Sequence, residues 1–530
     1  MKLCFTFDLR NIIFFSALIM IGQPLLGYGV RPSFTCTDNP LEEIYPNQNM
    51  CALLSSIPPA LRNLPYAMYP NSDVYNTNRF GFNKRFNFFP AAIFIPTNEA
   101  EMITVYKALV QNNLPFALRS GGHCFGPGSL STGYVIDLRN FNAIVPDTNN
   151  NTVYIGAGSR LGDVISALGP LNYAIPTGDC PSVGVTGLTL GGGIGFLARQ
   201  YGLTCDNVVN IRLLTALGTI ITVDADNYPD LFWALCGAGA GAFGVVLGFT
   251  FTMHYVPEVS YISVHWDWDP AQATQIFNAW QTWTTTLPTT ISTECVLGYR
   301  IDPIKKTGTS RVTLNALKVG SEPFTEWQSV FSQFNPIIDT NYHGNYIGAA
   351  KKFASTPIAP FSKVKSKMLF QPLSQAGLQV LTAFFSQLQE NPCDIRVNFF
   401  FGSMLNGAIS KSNSNSSFFP RSAFGYVFQF AYWFHEKQAT QTINLLRQIY
   451  RDLEPYFSPY SYANLIDFEL GASYLDAYYG GNVNRLIQVK NKYDPTNIFH
   501  WEQSIPLTYV PQSPINQAIG QKYCSKFINR

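Results

Sequence analysis

Two side chains that could form covalent bonds to a ligand, the imidazole of His123 and the thiol of Cys180, each lie in a glycine-rich segment. His123 ends the segment 119–123 (Arg-Ser-Gly-Gly-His), and Cys180 lies in the segment 178–184 (Gly-Asp-Cys-Pro-Ser-Val-Gly). Because glycine has no Cβ, such a backbone can approach a flat ligand closely. The two segments therefore predict a surface against which a planar cofactor can lie, with one nucleophilic side chain in each half.

Length and composition limit the kinds of protein that this chain can be. Its 530 residues exceed the size at which a single hydrophobic core usually stops growing, so two or more domains are expected. A net charge of +2 and a charged fraction of 13% give no reason to expect a nucleic-acid partner. The aromatic fraction of 15% suits a cleft for flat or sugar-like ligands, and it is equally typical of a large β-rich core.

The N-terminus has the features of a secretory signal. Lys2 and Arg10 precede an apolar stretch over residues 12–21, and small residues follow it. This order predicts a signal peptide over residues 1–29 and a secreted mature protein with no membrane association. The apolar stretch is too short to span a bilayer comfortably, and an uncleaved anchor is the alternative.

The chain has ten cysteines, of which Cys4 would leave with the signal peptide. An oxidising compartment would permit disulfide bonds among those not bonded to a cofactor. Cys36 and Cys51 flank a short loop and are the expected pair, although spacing alone does not determine connectivity. No C-x-x-C pair is present, so no zinc site is expected.

Between residues 89 and 255, short apolar runs alternate with helical segments, which is typical of an α+β domain. The predicted strands are 92–95, 116–118, 134–137, 153–155 and 245–253, with a β-hairpin of 211–215 and 219–223. The predicted helices are 99–111, 161–167 and 230–235. The glycine-rich run 237–244 enters a strand rather than a helix, which argues against a Rossmann dinucleotide fingerprint.

The motifs around His123 and Cys180, together with 134–139 (Tyr-Val-Ile-Asp-Leu-Arg) and the C-terminal 494–499 (Asp-Pro-Thr-Asn-Ile-Phe), resemble the berberine bridge enzyme-like flavoproteins. The resemblance implies an α+β fold: a two-subdomain FAD-binding domain of the vanillyl-alcohol oxidase type, and a substrate domain with an antiparallel sheet backed by helices. The implied boundaries are 1–29 for the signal peptide, 30–86 for an N-terminal segment, 87–256 for the FAD domain, 257–457 for the substrate domain, 458–506 for a C-terminal segment that returns to the FAD domain, and 507–530 for a tail.

The same resemblance implies that FAD is attached twice, through its 8α methyl to His123 and through its C6 to Cys180. A structural role for the Cys180 thiol, and Cys124 as the bonding nucleophile, are the alternatives. The other residues expected at the cofactor are Arg119, Ser120, Gly121, Gly122, Val183, Gly184, Gly187, Gly191, Gly192, Gly193, Gly195, Gly244, Val246 and Asn464. By resemblance, the small side chain of Val183 gives dioxygen access to the flavin.

Oxidation of an alcohol by hydride transfer needs a base beside the hydroxyl group. Tyr462 is the first candidate, and a packing tyrosine is its equal alternative. Gln429 is retained from the family's catalytic set, and Asp467 could orient a tyrosine or be an ordinary turn residue. Leu465, like Ile194 and Val427, replaces a polar residue found in plant relatives that oxidise lignin alcohols, which argues against that chemistry and leaves the base unassigned.

The sequence thus predicts a secreted, monomeric flavoprotein oxidase that binds FAD bicovalently. Its expected reaction converts a carbohydrate-like alcohol or hemiacetal to a carbonyl or lactone and reduces dioxygen to hydrogen peroxide. One alternative is the oxidation or oxidative cyclisation of an alkaloid-like secondary metabolite. Another is a flavin-bearing surface protein with negligible turnover.

Overall fold

The computed structural model describes residues 57–70, 72–302, 305, 307–354, 361–411 and 413–510. The predicted signal peptide, the expected disulfide pair Cys36 and Cys51, and most of the predicted tail lie outside the described residues. The six cysteines that the structure does describe are all unbridged. Among the described residues, no helix is long and apolar enough to cross a bilayer.

The first sheet has four short strands in the order β1-β2-β4-β3: β1 (Ala67–Met68), β2 (Ala92–Phe94), β3 (Phe116–Arg119) and β4 (Tyr134–Asp137). Strands β2 and β3 both run parallel to β4. Helix α1 (Tyr75–Asn78) is a single turn, and α2 (Glu99–Gln111) connects β2 to β3. The side chain of Asn98 caps α2 by accepting a hydrogen bond from the Glu101 N–H. The strands and the helix predicted in this region are confirmed.

The second sheet is antiparallel, in the order β5-β6-β10-β8-β9. Its strands are β5 (Ile144–Asp147), β6 (Thr152–Gly156), β8 (Val208–Leu214), β9 (Ile220–Asp224) and β10 (Val245–Thr252), while β7 (Tyr173–Ala174) pairs separately with β11 (His254–Tyr255). Its helices are α3 (Leu161–Leu168), α4 (Val185–Leu190), α5 (Ala198–Tyr201) and α6 (Pro229–Ala238). The predicted hairpin turns at Gly218, whose φ of 74° favours glycine. The glycine-rich run enters β10, as expected.

The third sheet has seven antiparallel strands in the order β15-β12-β14-β13-β17-β18-β16. They are β12 (Val259–Asp267), β13 (Ile291–Ile301), β14 (Gly308–Val319), β15 (Ile337–Gly344), β16 (Phe361–Leu369), β17 (Ile395–Ser403) and β18 (Gly425–Trp433). The accompanying helices are α7 (Pro270–Thr284), α8 (Gln328–Phe331), α9 (Tyr346–Phe353), α10 (Gln375–Glu390) and α11 (Ala439–Leu453). Helices α7, α10 and α11 pack with one face of the sheet in a common apolar core. The other face of the seven-stranded sheet lies on the side of the first two sheets.

The C-terminal part of the described chain packs against the first two sheets. Helices α12 (Tyr474–Tyr479) and α13 (Val483–Tyr493) share one apolar core with those sheets. The ammonium group of Lys490 on α13 is buried, and it donates hydrogen bonds to the carbonyls of Ala242 and Phe499 and to the Asp494 carboxylate. These bonds link α13 to the glycine-rich run before β10. The three sheets and their helices confirm the predicted α+β class.

Candidate functional site

A cavity of about 1630 Å³ lies between the first two sheets and the open face of the seven-stranded sheet. The cavity wall includes the loops that carry His123 and Cys180, strands β13, β17 and β18, and residues 462–466 of the C-terminal segment. Most single small ligands occupy roughly 300–1000 Å³. The cavity therefore has room for an extended cofactor and a substrate together.

The loops that carry His123 and Cys180 touch at a pair of glycines. A Cβ added to Gly121 would overlap the backbone of Gly184, and a Cβ added to Gly184 would overlap the backbone of Gly121. Gly122 has a φ of 69°, a conformation that side chains other than glycine rarely adopt. The glycines that the sequence singled out here are needed because two backbones meet, and this contact sets the distance between the two nucleophiles.

Both loops are also fixed to the same part of the second sheet. The hydroxyl groups of Ser120 and Thr186 donate hydrogen bonds to the carbonyl of Ala157, at 2.6 and 2.7 Å. The N–H of Gly162 at the start of α3 donates to the carbonyl of Pro181 at 3.0 Å. A shared anchor of this kind holds His123 and Cys180 in one arrangement.

The Sγ of Cys180 lies 3.4 Å from the Nε2 of His123, and both side chains line the cavity. The His123 ring stacks on Phe82, with ring centroids 3.8 Å apart. Burial lowers the pKa of His123 to about 4. The imidazole is therefore neutral at physiological pH and has the lone pair that a nucleophile needs.

Most of the residues expected at the cofactor do line the cavity. Besides His123 and Cys180, they are Ser120, Gly121, Gly122, Val183, Gly184, Gly187, Gly191, Gly195, Gly244, Val246 and Asn464. Cys124, the alternative nucleophile, lines it as well, and burial raises the pKa of its thiol. A raised pKa disfavours the thiolate, which makes Cys124 the weaker candidate for attachment.

Three of the expected cofactor residues lie behind the cavity wall instead. Arg119 is buried and donates from Nε to the Asp137 carboxylate at 2.6 Å, which ties β3 to β4. A Cβ on Gly192 would overlap the ring of Phe418, and one on Gly193 would overlap the side chain of Thr204. The structure therefore places these three predicted cofactor residues outside the cavity lining, where they support the wall.

Tyr462, the first candidate for the base, lines the cavity, and burial keeps it protonated although the hydrogen bonds donated to its oxygen favour the ionised form. Its oxygen accepts hydrogen bonds from the Gly193 N–H at 3.1 Å and from the Asn464 side-chain amide at 2.8 Å. Burial raises the pKa of Tyr462 to about 12. Asn464 also donates to the Leu188 carbonyl, in space left by the missing side chain of Gly191. Tyr462 and Asn464 thus form a fixed hydrogen-bonded unit in the wall.

Gln429 lies on the wrong face of its strand for a catalytic role. Alternate residues of β18 point to opposite faces, and Gln429 shares the helix-covered face with Val427 and Trp433, which belong to that core. Its side-chain amide is fully buried, and neither of its polar atoms has a hydrogen-bond partner in the described part of the chain. The structure therefore places Gln429, a predicted catalytic residue, outside the cavity.

Asp467 is likewise away from the cavity, in a buried ion cluster. Its carboxylate accepts a hydrogen bond from the Lys365 ammonium group at 2.6 Å, and Lys363 lies 3.9 Å away. Glu469 joins the cluster through Lys363 at 2.9 Å and Lys365 at 2.8 Å, and through Arg447. Asp467 neutralises buried cations rather than activating a tyrosine, which corrects the proposed catalytic role.

The residues of β18 that do face the cavity are aromatic. Tyr426, Phe428, Phe430, Tyr432 and Phe434 occupy alternate positions and all line the cavity. The Tyr426 and Phe428 rings stack with centroids 4.3 Å apart, and the Phe430 and Tyr432 rings are almost parallel. This aromatic wall, defined by these five residues, provides flat surfaces for a sugar ring or another planar ligand.

Sequence reasoning missed Glu294, a carboxyl group of β13 that lines the cavity. The Tyr426 hydroxyl donates a hydrogen bond to its Oε1 at 3.2 Å. Burial, together with the negative charge of Asp179, raises the pKa of Glu294 to about 8. No sequence motif surrounds Glu294, and only the alternation of β13 could have indicated that it faces away from the helix-covered core.

The composition of the cavity wall fits FAD. The Oγ of Ser129 and the Oδ1 of Asn497 are buried, line the cavity, and have no hydrogen-bond partner among the described residues. These groups, with the backbone of the two glycine-rich loops, can bind the polar parts of a dinucleotide. The apolar wall between the loops and β18 can hold a flat ring system. Gly187 faces open space in the cavity, where a side chain would take up room.

Family models match two parts of the chain. The model described as "FAD binding domain" matches residues 90–224, and the model described as "Berberine and berberine like" matches residues 461–506. The first range contains both nucleophile loops, and the second contains Tyr462 and Asn464. The two matched stretches therefore meet at one cavity.

Similar proteins cover nearly the whole chain. The FAD-linked oxidoreductase YgaK of Bacillus subtilis is 30% identical over 451 residues, 82% of this chain and 94% of YgaK. The structure of BBE-like 1 from Physcomitrella patens has a TM-score of 0.75 at 26% identity and covers 87% of this chain and 100% of its own. The xylooligosaccharide oxidase from Myceliophthora thermophila C1, in complex with xylobiose, has a TM-score of 0.75 at 21% identity, covers 87% of this chain and 100% of its own, and shows the fold alone. The chain belongs to the berberine bridge enzyme-like family of FAD-linked oxidoreductases.

Proposed function

We propose that this oxidoreductase attaches FAD through both His123 and Cys180 and oxidises a carbohydrate-like alcohol or hemiacetal. The observation that carries the proposal is the 3.4 Å separation of the two nucleophiles at one point of the cavity wall. The 8α methyl and C6 belong to the same ring of the isoalloxazine. Two nucleophiles that lie side by side on neighbouring loops suit two bonds to one ring.

The protein side of the reaction consists of attachment, orientation and proton transfer. His123 is neutral because its pKa is low, so its Nε2 can attack an electrophilic carbon. FAD, when bound, supplies the acceptor for a hydride. Tyr462 and Asn464 lie on the C-terminal segment at the cavity, where their fixed hydrogen bonds favour one orientation of a bound ring system.

The aromatic wall supports a sugar or a similarly flat substrate. Stacking on aromatic faces suits both pyranose rings and aromatic metabolites. We favour a carbohydrate because polar groups of β17, Arg396 and Asn398, line the cavity beside the aromatic wall and can bind hydroxyl groups. The similar fold of an oxidase whose structure holds xylobiose supports the same choice. An alkaloid-like substrate is the alternative to test.

We further propose that dioxygen reoxidises the flavin and is released as hydrogen peroxide. Val183 lines the cavity three residues after Cys180, and its small side chain leaves access for dioxygen. Secretion as a monomer, guided by residues 1–29, completes the proposal. Peroxide formed outside the cytoplasm would be the product to assay.

The attachment is tested by intact mass and in-gel flavin fluorescence of the wild type, His123→Ala, Cys180→Ala and the double variant. We expect one FAD to remain on the wild type and on each single variant after denaturation, and none on the double variant. Cys393→Ala and His435→Ala are matched controls, because both residues lie outside the cavity wall. Release of all flavin from denatured wild type would contradict the proposal.

Substrate class is tested by peroxide release from the intact flavoprotein. The panel contains cellobiose, xylobiose and chitobiose, with benzylic alcohols and benzylisoquinoline amines as the competing class. We expect the sugars to give the faster release. A flavin that dithionite bleaches but that no panel compound reduces would instead favour the flavin-bearing protein with negligible turnover.

A further inference from the structure

We infer that Glu294, oriented by Tyr426, is the general base that removes the hydroxyl proton of the substrate, and that water in a second, smaller cavity lined by Glu294 takes up this proton. The inference rests on the proposed function, because it needs a hydride acceptor in the main cavity. It assigns the base that the sequence left open. It also places that base on β13, outside both matched parts of the chain.

Three neighbouring strands build the Glu294–Tyr426 pair. Glu294 of β13 lies opposite Gly402 of β17, and Gly402 lies opposite Tyr426 of β18. The Tyr426 ring crosses above Gly402, where a Cβ would overlap it, and its hydroxyl reaches Glu294 at 3.2 Å. Gly402 is therefore required for a hydrogen bond between residues two strands apart.

The charges around Glu294 explain why it can exchange a proton near neutral pH. Asp179, beside the attachment cysteine, raises the pKa of Glu294 in addition to burial, and the Tyr426 hydrogen bond lowers it. Tyr261 of β12 is a further titratable neighbour, and burial first, then the charge of Glu294, raises its pKa. No lysine or arginine in the described part of the chain forms an ion pair with Glu294. With a pKa of about 8, Glu294 is a far stronger base than an ordinary carboxylate, and a substantial fraction of it is ionised at slightly alkaline pH.

A second cavity of about 20 Å³ is also lined by Glu294. Ser292, Thr293, Ser403 and Arg199 contribute polar groups to its lining, and Glu294 and Tyr426 line both cavities. The Nε of Arg199 is buried and has no hydrogen-bond partner among the described residues. This volume is enough for one water molecule, which needs two to four polar partners. The small cavity can therefore hold the water that takes the proton from Glu294.

The chemical step balances with the groups named. The Glu294 carboxylate takes the hydroxyl proton as the carbinol C–H bond breaks, and that hydrogen leaves with both electrons for the flavin. The alcohol becomes a carbonyl, or a hemiacetal becomes a lactone. Glu294, now protonated, passes its proton to water in the small cavity. Tyr462 and Tyr426 are unsuited to this role, because burial raises the pKa of Tyr462 to about 12 and that of Tyr426 well above its usual value.

The direct test is Glu294→Gln in the flavin-loaded protein, with the exposed Glu258→Gln as control. We expect full covalent flavin and normal bleaching by dithionite, but anaerobic flavin reduction that is about 10²–10⁴ times slower with the fastest sugar of the panel. In the wild type this rate should rise with pH up to about 8 and then level off. Glu294→Gln should lose this rise, whereas Glu258→Gln should keep it.

A second measurement does not depend on the substrate. Infrared difference spectra should show a protonated carboxyl band that disappears near pH 8 in the wild type and in Glu258→Gln, and that is absent from Glu294→Gln. Flavin content is measured first, because a wild type without covalent flavin contradicts the proposed function. A flavin-loaded Glu294→Gln with the wild-type rate and pH profile overturns only the assignment of the base.

Two further variants test the orienting pair. Tyr426→Phe removes the hydrogen bond, and Gly402→Ala moves the Tyr426 ring away from Glu294. Because that bond stabilises the carboxylate, both variants should move the pH-dependent rise upward by about one pH unit. Gly481→Ala is the control, since nothing lies within 4 Å of the position that its Cβ would take. An unchanged profile in both Tyr426→Phe and Gly402→Ala would overturn the role of the pair.

Discussion

Two sites on opposite faces of the seven-stranded sheet hold buried carboxyl groups with opposite behaviour. On the helix-covered face, Asp467 and Glu469 both form ion pairs with Lys365 of β16. Lys365 lies opposite Gln429 of β18, which is on the same face. On the cavity face, Glu294 has a tyrosine hydroxyl as its partner. Although burial alone would raise the pKa of Glu469, the charges of Lys363 and Lys365 hold it well below its usual value, while the pKa of Glu294 rises to about 8.

The comparison shows that burial does not by itself make a carboxyl group a base. Burial disfavours the charged form at both sites, and the counter-charge decides the result. The sequence made Asp467 a candidate because it is an acidic residue near a tyrosine, but its carboxylate is paired with the Lys365 ammonium group and lies away from the cavity. Glu294 retains the proton affinity that a base needs because its hydrogen-bond partner is a hydroxyl group, the charge that adds to the effect of burial is that of another acid, and no described lysine or arginine forms an ion pair with it.

The largest effect on stability should follow from removing a cation from the ion cluster of Asp467 and Glu469. Lys365→Met leaves Asp467 and Glu469 short of a cation and should lower the free energy of unfolding by about 3–5 kcal/mol. Urea denaturation of the flavin-loaded protein, followed by tryptophan fluorescence, measures the change. The exposed Lys437→Met should have no effect. A loss below about 1 kcal/mol would mean that this cluster is no more tightly coupled than a surface ion pair.

A smaller change in stability, of opposite sign, should come from replacing Glu294, which has no cation as a partner. Between pH 5 and pH 8 the folded protein retains the Glu294 proton that the unfolded chain loses, so wild-type stability falls as pH rises through this window. Glu294→Gln lacks this loss and should be more stable than the wild type at pH 8 by about 2 kcal/mol, after allowance for partial exposure to the cavity. The gain should vanish near pH 4.5. Urea denaturation at several pH values, with Glu258→Gln as reference, tests this, and a gain that does not depend on pH would contradict it.

The smallest effect on stability should come from the partly exposed edge of the ion cluster of Asp467 and Glu469. Arg447 pairs with Glu469, and both side chains are partly exposed. Arg447→Met should lower stability by about 1 kcal/mol or less, because water screens exposed pairs. The loss should shrink as salt is raised. A loss as large as that of Lys365→Met would contradict the expectation that the buried Lys365 contributes more to stability than the partly exposed Arg447.

Local structure in the first two sheets was largely predictable from the sequence. Helix α2 matches its predicted bounds, and β2, β3, β4, β6, β9 and β10 lie within a residue or two of the predicted ranges, because short apolar runs there end at Gly, Pro or Asn. Strand β8 begins three residues before its predicted start, and β1 and β5 were not predicted. The loops of His123 and Cys180 were recognisable because two backbones that touch require glycine on both sides. Requirements of this kind act within a few residues and leave a clear pattern.

The cavity face of the third sheet was much harder to predict. The family resemblance placed Gln429 in the site, whereas the aromatic residues on either side of it in the strand face the cavity. Glu294, Gly402 and Tyr426 come together from three distant parts of the chain, and none has a motif of its own. The value of the Glu294 carboxyl as a base depends on neighbours that only the folded sheet brings together.

The alternation along β18 has a consequence for how this fold can diversify. Residues 427, 429, 431 and 433 belong to the side that keeps the sheet folded on its helices, while residues 426, 428, 430, 432 and 434 belong to the cavity wall. A mutation at the second set alters what the cavity accepts without removing a side chain from the helix-covered core. Selection for a new substrate can therefore change the cavity-wall positions of β18 one at a time. Such changes alter specificity almost independently of stability.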